Sequence, residues 1–150
     1  MTDEQASEPT PVPDMFQDVL DFTMKFVPNQ IAKLPVWPAY NVMNLRGKLI
    51  KEEIEELTKA FEAADFEGIV DNTLDLVYVL LGLLIAMGVD ARPVWNEIQR
   101  ANMAKTNGGL REDGKVLKPK GWIPPDITGV LMRQQPIQVV DVSPADVQSD

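Results

Sequence analysis

The segment from Leu74 to Met87 is apolar at nearly every position. It is shorter than the ~20 residues a bilayer span requires, and Asp71 and Asp75 stand at its start. It therefore reads as a buried core helix. A helix that is apolar nearly all round must be covered on more than one side. With 150 residues, 45% of them hydrophobic, the chain suits one domain with a real core. Four modest helices in one chain do not cover such a helix, and a second subunit is the natural supplier. The sequence thus predicts a homodimer or a dimer of dimers.

Punctuation places the other elements. Met15 to Val27 has an amphipathic pattern carried by Phe16, Val19, Leu20, Phe22, Met24 and Phe26, and Pro28 stops it. Pro28 to Pro38 is a proline-rich loop that holds Trp37. A second helix runs from about Tyr40 to Ala63. Asp65 reads as the N-cap of the third, which reaches about Met87, with Glu67 in its first turn and Gly88 after its end. Asp90 caps a fourth helix that continues to about Lys105, with Pro93 in its first turn. Asn107-Gly108-Gly109 ends it. Leu110 to Asp126 is loop-like, with a turn at Glu112-Asp113-Gly114-Lys115. Ile127 to Arg133 reads as a short helix or an extended arm. No strand pair is expected in the core. The fold class is all-α, of the four-helix-bundle type. The domain spans residues 15–133, flanked by an N-terminal tail (1–14) and a C-terminal tail (134–150), both polar and proline-containing.

The second helix carries a conflict. Val42, Leu45, Leu49, Ile50, Ile54, Leu57 and Phe61 form one apolar stripe. Glu53 falls inside it and Glu56 on its margin. A carboxylate facing a core needs a cation or a donor. On the third helix Asp71 and Asp75 differ by only about 40° around the axis. If that face meets Glu53 and Glu56, four carboxylates converge. Bare, they repel one another and take up protons. The chain has no cysteine and no histidine, so any metal is held by oxygen, which favours Mg²⁺, Mn²⁺ or Ca²⁺ over zinc or copper. The plainer reading is a solvated acidic face. It suits Glu62, and also Glu55, for which Lys59 offers an i, i+4 partner.

A net charge of −9 argues against a nonspecific nucleic-acid binder and against binding to anionic membranes. It does not exclude a phosphate-bearing substrate, because divalent cations invert the local field. The lack of cysteine fits a cytoplasmic protein. No basic stretch followed by an apolar one opens the chain, so no secretory leader is expected.

The ordered motifs carry more than the spacing. Glu53-x-x-Glu56 on one helix precedes an acidic pair ending in Asp75-Leu76-Val77-Tyr78-Val79. Next come Gly88-Val89-Asp90, Val94-Trp95-Asn96-Glu97-Ile98 and Arg100-Ala101-Asn102-Met103-Ala104-Lys105. A tail follows with Glu112 to Lys118 and Gly121-Trp122-x-Pro124-Pro125-Asp126. From about Phe16 to Arg133 this resembles the all-α nucleoside triphosphate pyrophosphatases, a superfamily of MazG-like proteins, dimeric dUTPases and phosphoribosyl-ATP pyrophosphohydrolases. The resemblance implies a MazG-like fold completed by dimerisation. It also implies hydrolysis between the α- and β-phosphates of a nucleoside triphosphate, with Mg²⁺ as cofactor and Mn²⁺ as a substitute.

The family motif is E-x-x-E followed by E-x-x-D. Glu53, Glu56 and Asp75 fill three places, and Glu52 matches an adjacent acid found in some members. Asn72 occupies the fourth place, where it offers a carbonyl oxygen without charge, and Asp71 is the candidate to supply the missing carboxylate. The resemblance assigns Glu53 or Glu52 to orienting or deprotonating a water. It assigns Lys105 and Lys115 or Lys118 to phosphate charge, and Asn102 to phosphate or sugar. Tyr78 is a candidate for stacking on the base, as are Trp37 and Trp122 in their loops. Phe22 and Trp95 are expected to be core. Two further readings stand beside the enzyme: a nucleotide- or metal-binding regulatory module that Asn72 has deprived of catalysis, and a structural helical dimer with an acidic groove.

Overall fold

The computed structural model describes residues 12–139. Five α-helices follow one another: α1 (Met15–Phe26), α2 (Tyr40–Glu62), α3 (Phe66–Ala86), α4 (Ala91–Met103) and α5 (Ile127–Arg133). A 3₁₀ turn at Pro28–Gln30 follows α1. The protein is all-α, and the one β-type pairing among the described residues is a lone antiparallel bridge between Leu110 and Val116 across the Glu112–Lys115 turn.

The caps explain the helix boundaries. The Asp65 carboxylate accepts from the Gly68 N–H at the start of α3, and that of Asp90 accepts from the Arg92 N–H at the start of α4. Asp126 does the same for α5 through Gly129, so Ile127 to Arg133 is a helix and not an extended arm. Gly88 ends α3 with φ +69°, and a Cβ there would collide with the Leu34 carbonyl. The close approach lets the Pro28–Pro38 loop lie along the end of α3, with the Val36 N–H donating to the Met87 carbonyl at 3.0 Å.

The main packing pair is the α2/α3 hairpin, with α1 laid against α3 and α4 against α5. The core joins Phe16, Val19 and Leu20 of α1 to Ile85 of α3 and to Ile137. Asp14, assigned to the N-terminal tail, caps α1 and accepts from Arg92 Nη1 at 3.0 Å, which ties α1 to α4. At the other end the packed chain runs past Arg133. Gln134 Nε2 donates to the Gly88 carbonyl, and Ile137 is 5% exposed with its N–H donating to Lys33. The outer parts of both assigned tails, 1–11 and 140–150, lie outside the described residues.

Three side-chain expectations are corrected. Trp95 is 68% exposed, because within one chain α4 packs chiefly on α5 and leaves that face uncovered. Phe22 is partly exposed too, and it meets Phe26 and Tyr78 instead of the core cluster. Glu55 pairs with Lys51 at 3.6 Å, one turn before it, and not with Lys59. α3 is long and apolar enough to cross a membrane by length and composition, yet few of its residues are buried within one chain. Val70, Leu74 and Leu80 are exposed.

Candidate functional site

Two contacts fix the register of the α2/α3 hairpin. Ala60 lies against Gly68 at one end, and the Arg46 guanidinium lies against Gly82 at the other. A side chain at Gly68 would touch the Ala60 methyl, and one at Gly82 would run into Arg46. Glu53 lies two helical turns from Arg46 and two from Ala60; Asp75 lies two turns from Gly82 and two from Gly68. Antiparallel pairing therefore sets Glu53 across from Asp75. Three residues further along α2 and three residues back along α3, Glu56 comes to the level of Asn72.

Glu53 is the distinctive member. It is half-buried, and its Oε2 is buried with no hydrogen-bond partner. Glu52, Glu55 and Glu56 are exposed. Burial pushes the Glu53 carboxyl above its ordinary value, and the negative charges of Asp75, Glu56, Glu52 and Asp71, in that order, push it further. Four carboxylates on two helices thus act on a fifth. Among the described residues no three of them are drawn tightly enough to hold a metal ion as they stand. The donor set nevertheless fits a hard divalent cation. It is all oxygen, mutually repelling, and includes an orphaned buried oxygen that only a cation or donor would satisfy. Asn72 is half-buried. Asp71 is exposed and lines an outer groove with Phe66, Val70 and Leu74.

The candidate substrate residues form a second group at the end of α4. Lys105 Nζ donates to Asn102 Oδ1 at 2.8 Å. Trp122 Nε1 donates to the Ala101 carbonyl at 2.6 Å, which pins the indole. Lys105 and Lys118 lie over that ring, 5.6 and 4.5 Å from its centre. Asn102, Lys105, Lys118 and Trp122 are therefore brought together by one aromatic side chain. The Arg100–Glu97 pair holds the segment that follows: the Glu97 carboxylate also accepts from the Asp126 N–H at 2.8 Å, and these bonds, Arg100 first, hold its carboxyl down to about 2. Lys115 belongs to the turn, where its N–H donates to Asp113. Trp37 is 75% exposed on its loop. Neither joins the Trp122 group by any of these contacts.

Tyr78 meets Phe22 edge to face at 5.7 Å, and both line a cavity of about 300 Å³ between α1, α2 and α3. Arg46 and Gln30, which sequence reasoning did not single out, line it too. The available signal was weak: an arginine two turns before Glu53 on the same face.

The model of a family described as phosphoribosyl-ATP pyrophosphohydrolase matches residues 21–102, more than half of the chain, from α1 to the Asn102 end of α4. No curated protein matches the chain.

Proposed function

The chain belongs to the phosphoribosyl-ATP pyrophosphohydrolase family, and on that premise we propose that it is a metal-dependent nucleoside triphosphate pyrophosphohydrolase. Its family hydrolyses phosphoanhydrides of nucleotides; the finer reading is that this chain cleaves the α–β bond of a ribo- or deoxyribonucleoside triphosphate. Water adds across that anhydride, and a monophosphate and pyrophosphate leave. The role is removal of unwanted nucleotides from the cellular pool, in the cytoplasm.

The observation that carries the proposal is the buried, unpartnered Glu53 Oε2, in register with Asp75 and surrounded by like charge. Such an arrangement is costly unless a cation completes it. Glu53, Glu56 and Asp75 would hold Mg²⁺ or Mn²⁺, with Asn72 or Asp71 as a further ligand. When bound, the cation polarises phosphate oxygens and lowers the pKa of a bound water. The chain's own residues do the rest. Glu52 or Glu53 orients the water and receives its proton. Lys105 and Lys118, with Lys115 from the turn, neutralise phosphate charge, and Asn102 hydrogen-bonds phosphate or sugar. Tyr78, Trp122 and Trp37 are the stacking surfaces.

The test is pyrophosphate release from a panel of canonical and modified triphosphates, with phosphoribosyl-ATP included, in Mg²⁺ or Mn²⁺. Metal-dependent release of equal monophosphate and pyrophosphate is expected. Release of orthophosphate, or no turnover of any member, would sink the proposal. The second reading, a binding module without turnover, rests on Asn72 standing where a carboxylate is expected. Nucleotide binding without pyrophosphate release would select it.

The active form is proposed to be a dimer at least, with no nucleic-acid or membrane partner. Leu74 on α3 is 58% exposed and Phe61 on α2 is 63% exposed, with Val70, Leu80 and Trp95 also uncovered. Together they form apolar surface of the kind subunit interfaces cover. Obligate interfaces commonly bury more than ~2,000 Å². Sedimentation at micromolar concentration should show a dimer or tetramer, and a folded monomer would refute the assembly.

A further inference from the structure

Arg46 is the anomaly of the hairpin. It is 7% exposed, and no ion pair forms on it among the described residues. Its Nη2 donates to Gln30 Oε1 at 2.8 Å, its Nη1 lies against the Gly82 backbone, and its buried Nε has no partner. Burial alone pulls the guanidinium below its ordinary pKa. A buried donor left unpaired is costly, so something is expected to accept from it. The side chain lines the cavity of about 300 Å³ described above, whose walls are otherwise largely apolar: Val19, Phe22, Leu49 and Tyr78.

The donor inventory names the missing partner. Gln30 spends its carbonyl on Arg46, which leaves its amide N–H groups free. Thr23 spends its hydroxyl hydrogen on the Val19 carbonyl. The unspent N–H donors at the polar end belong to Arg46 and Gln30, while the Thr23 oxygen and the Tyr78 hydroxyl, which also line the cavity, can accept. A phosphate is a poor occupant, because the cavity offers one cation and apolar walls for a charge that loses its water. A flat, neutral ring with acceptors on its edge fits better: the Phe22–Tyr78 pair gives it an aromatic wall, and the N–H groups give it donors.

We propose that this cavity is a nucleobase pocket in which Arg46 and Gln30 select bases with a keto oxygen at purine C6 or pyrimidine C4, the guanine and uracil class, over adenine and cytosine, which carry an amino group there. The inference rests on the nucleotide reading of the neighbouring site and adds the base class to it. Placed against Arg46 and Gln30, an amino group would point a donor at donors. A guanine offers O6 and N7 together, the edge that arginine reads most often in nucleic acids.

The test uses monophosphates, so that no turnover is needed. Titration calorimetry with GMP, UMP, AMP and CMP in Mg²⁺ should give keto bases an advantage of about tenfold or more. Ribose 5-phosphate should bind weakly. In Arg46→Met, which fills the same space without donors, the preference should shrink to within about threefold. Gln30→Met should reduce it partly, and serves alone if Arg46→Met does not fold. Equal affinity for the four bases, an amino preference, a keto preference that survives both substitutions, or ribose 5-phosphate binding as tightly as GMP would overturn the pocket. If the keto preference holds and no triphosphate releases pyrophosphate, the pocket stands and the enzymatic reading falls. If pyrophosphate is released without base preference, the reverse is true.

Discussion

Glu53→Gln should abolish divalent-cation binding and pyrophosphate release while making the metal-free protein more stable. Glu53 is the one acid of the α2 run with a buried, unpartnered oxygen, and four other carboxylates act on it. Its ionised form is held in place against burial and repulsion, so removing the charge relieves the hairpin. The sign follows from the raised pKa. A carboxyl whose folded value lies above its ordinary 4.5 contributes stability that is fully present below pH 4.5 and is lost as pH rises through the raised value. The advantage of Glu53→Gln should therefore be small in acid and grow through the weakly acidic range. At neutral pH it should appear as a midpoint above that of the native chain, both measured in chelator. Divalent cation should reverse the order. It stabilises the native protein by mass action, by about 2.7 kcal/mol at a hundredfold excess over Kd, and leaves the variant unmoved. Activity should fall by more than about 100-fold, since loss of a group that merely orients a metal ligand already costs 10–100-fold. Glu56→Gln and Asp75→Asn should follow in metal affinity, measured by titrating Mn²⁺. A variant that binds Mn²⁺ as tightly as the native chain would remove that residue from the site. A Glu53→Gln protein less stable than the native chain in chelator would show that its oxygen is satisfied after all.

That Glu53 is half-buried was legible from α2 alone, because helical spacing places it among Leu49, Ile54 and Leu57. The caps at Asp65 and Asp90 were equally legible, since each acid stands directly before a periodic apolar run and its role is local. What escaped depends on partners distant in sequence. Ile137 is one of several aliphatic residues in a tail rich in polar residues and proline, and only the Lys33 carbonyl and the α1 core single it out for burial. Trp95 has the amphipathic spacing of a core residue, but among the described residues it only borders an open cleft with Phe16, Val77 and Leu81 and stays 68% exposed. Arg46 reads in sequence as a solvated cation, because arginine is rarely buried without an acid partner. Its burial arises where α2 crosses Gly82, and a glycine in an apolar helix does not reveal what it makes room for. Glu55 had two lysines one turn away on either side, and spacing alone did not choose between them.

The exchange at the fourth acidic place should prove measurable in both directions. Spacing makes Asp71 the substitute carboxylate for Asn72, since it lies one turn before Asp75. The hairpin favours Asn72 itself. Asn72 is half-buried and at the level of Glu56, whereas Asp71 is exposed beside Val70 and Leu74, and its charge weighs least of the four on Glu53. An amide oxygen ligates a hard cation without neutralising it, so the site is held with one negative charge fewer than the family motif supplies. Asn72→Glu should then tighten Mn²⁺ binding by about tenfold or more, the scale of a single charge-assisted ligand, and should raise turnover at limiting metal. Asn72→Ala should weaken binding, and Asp71→Asn should change it by less than Asn72→Ala does. The opposite ranking, with Asp71→Asn abolishing Mn²⁺-dependent hydrolysis while Asn72→Ala is mild, would make Asp71 the ligand and require α3 to turn that face inward when metal binds. A large gain of activity in Asn72→Glu over a native chain that barely turns over would instead favour the binding-module reading. The carboxylate cluster would then be a cation-dependent nucleotide receptor whose missing charge limits chemistry and spares affinity.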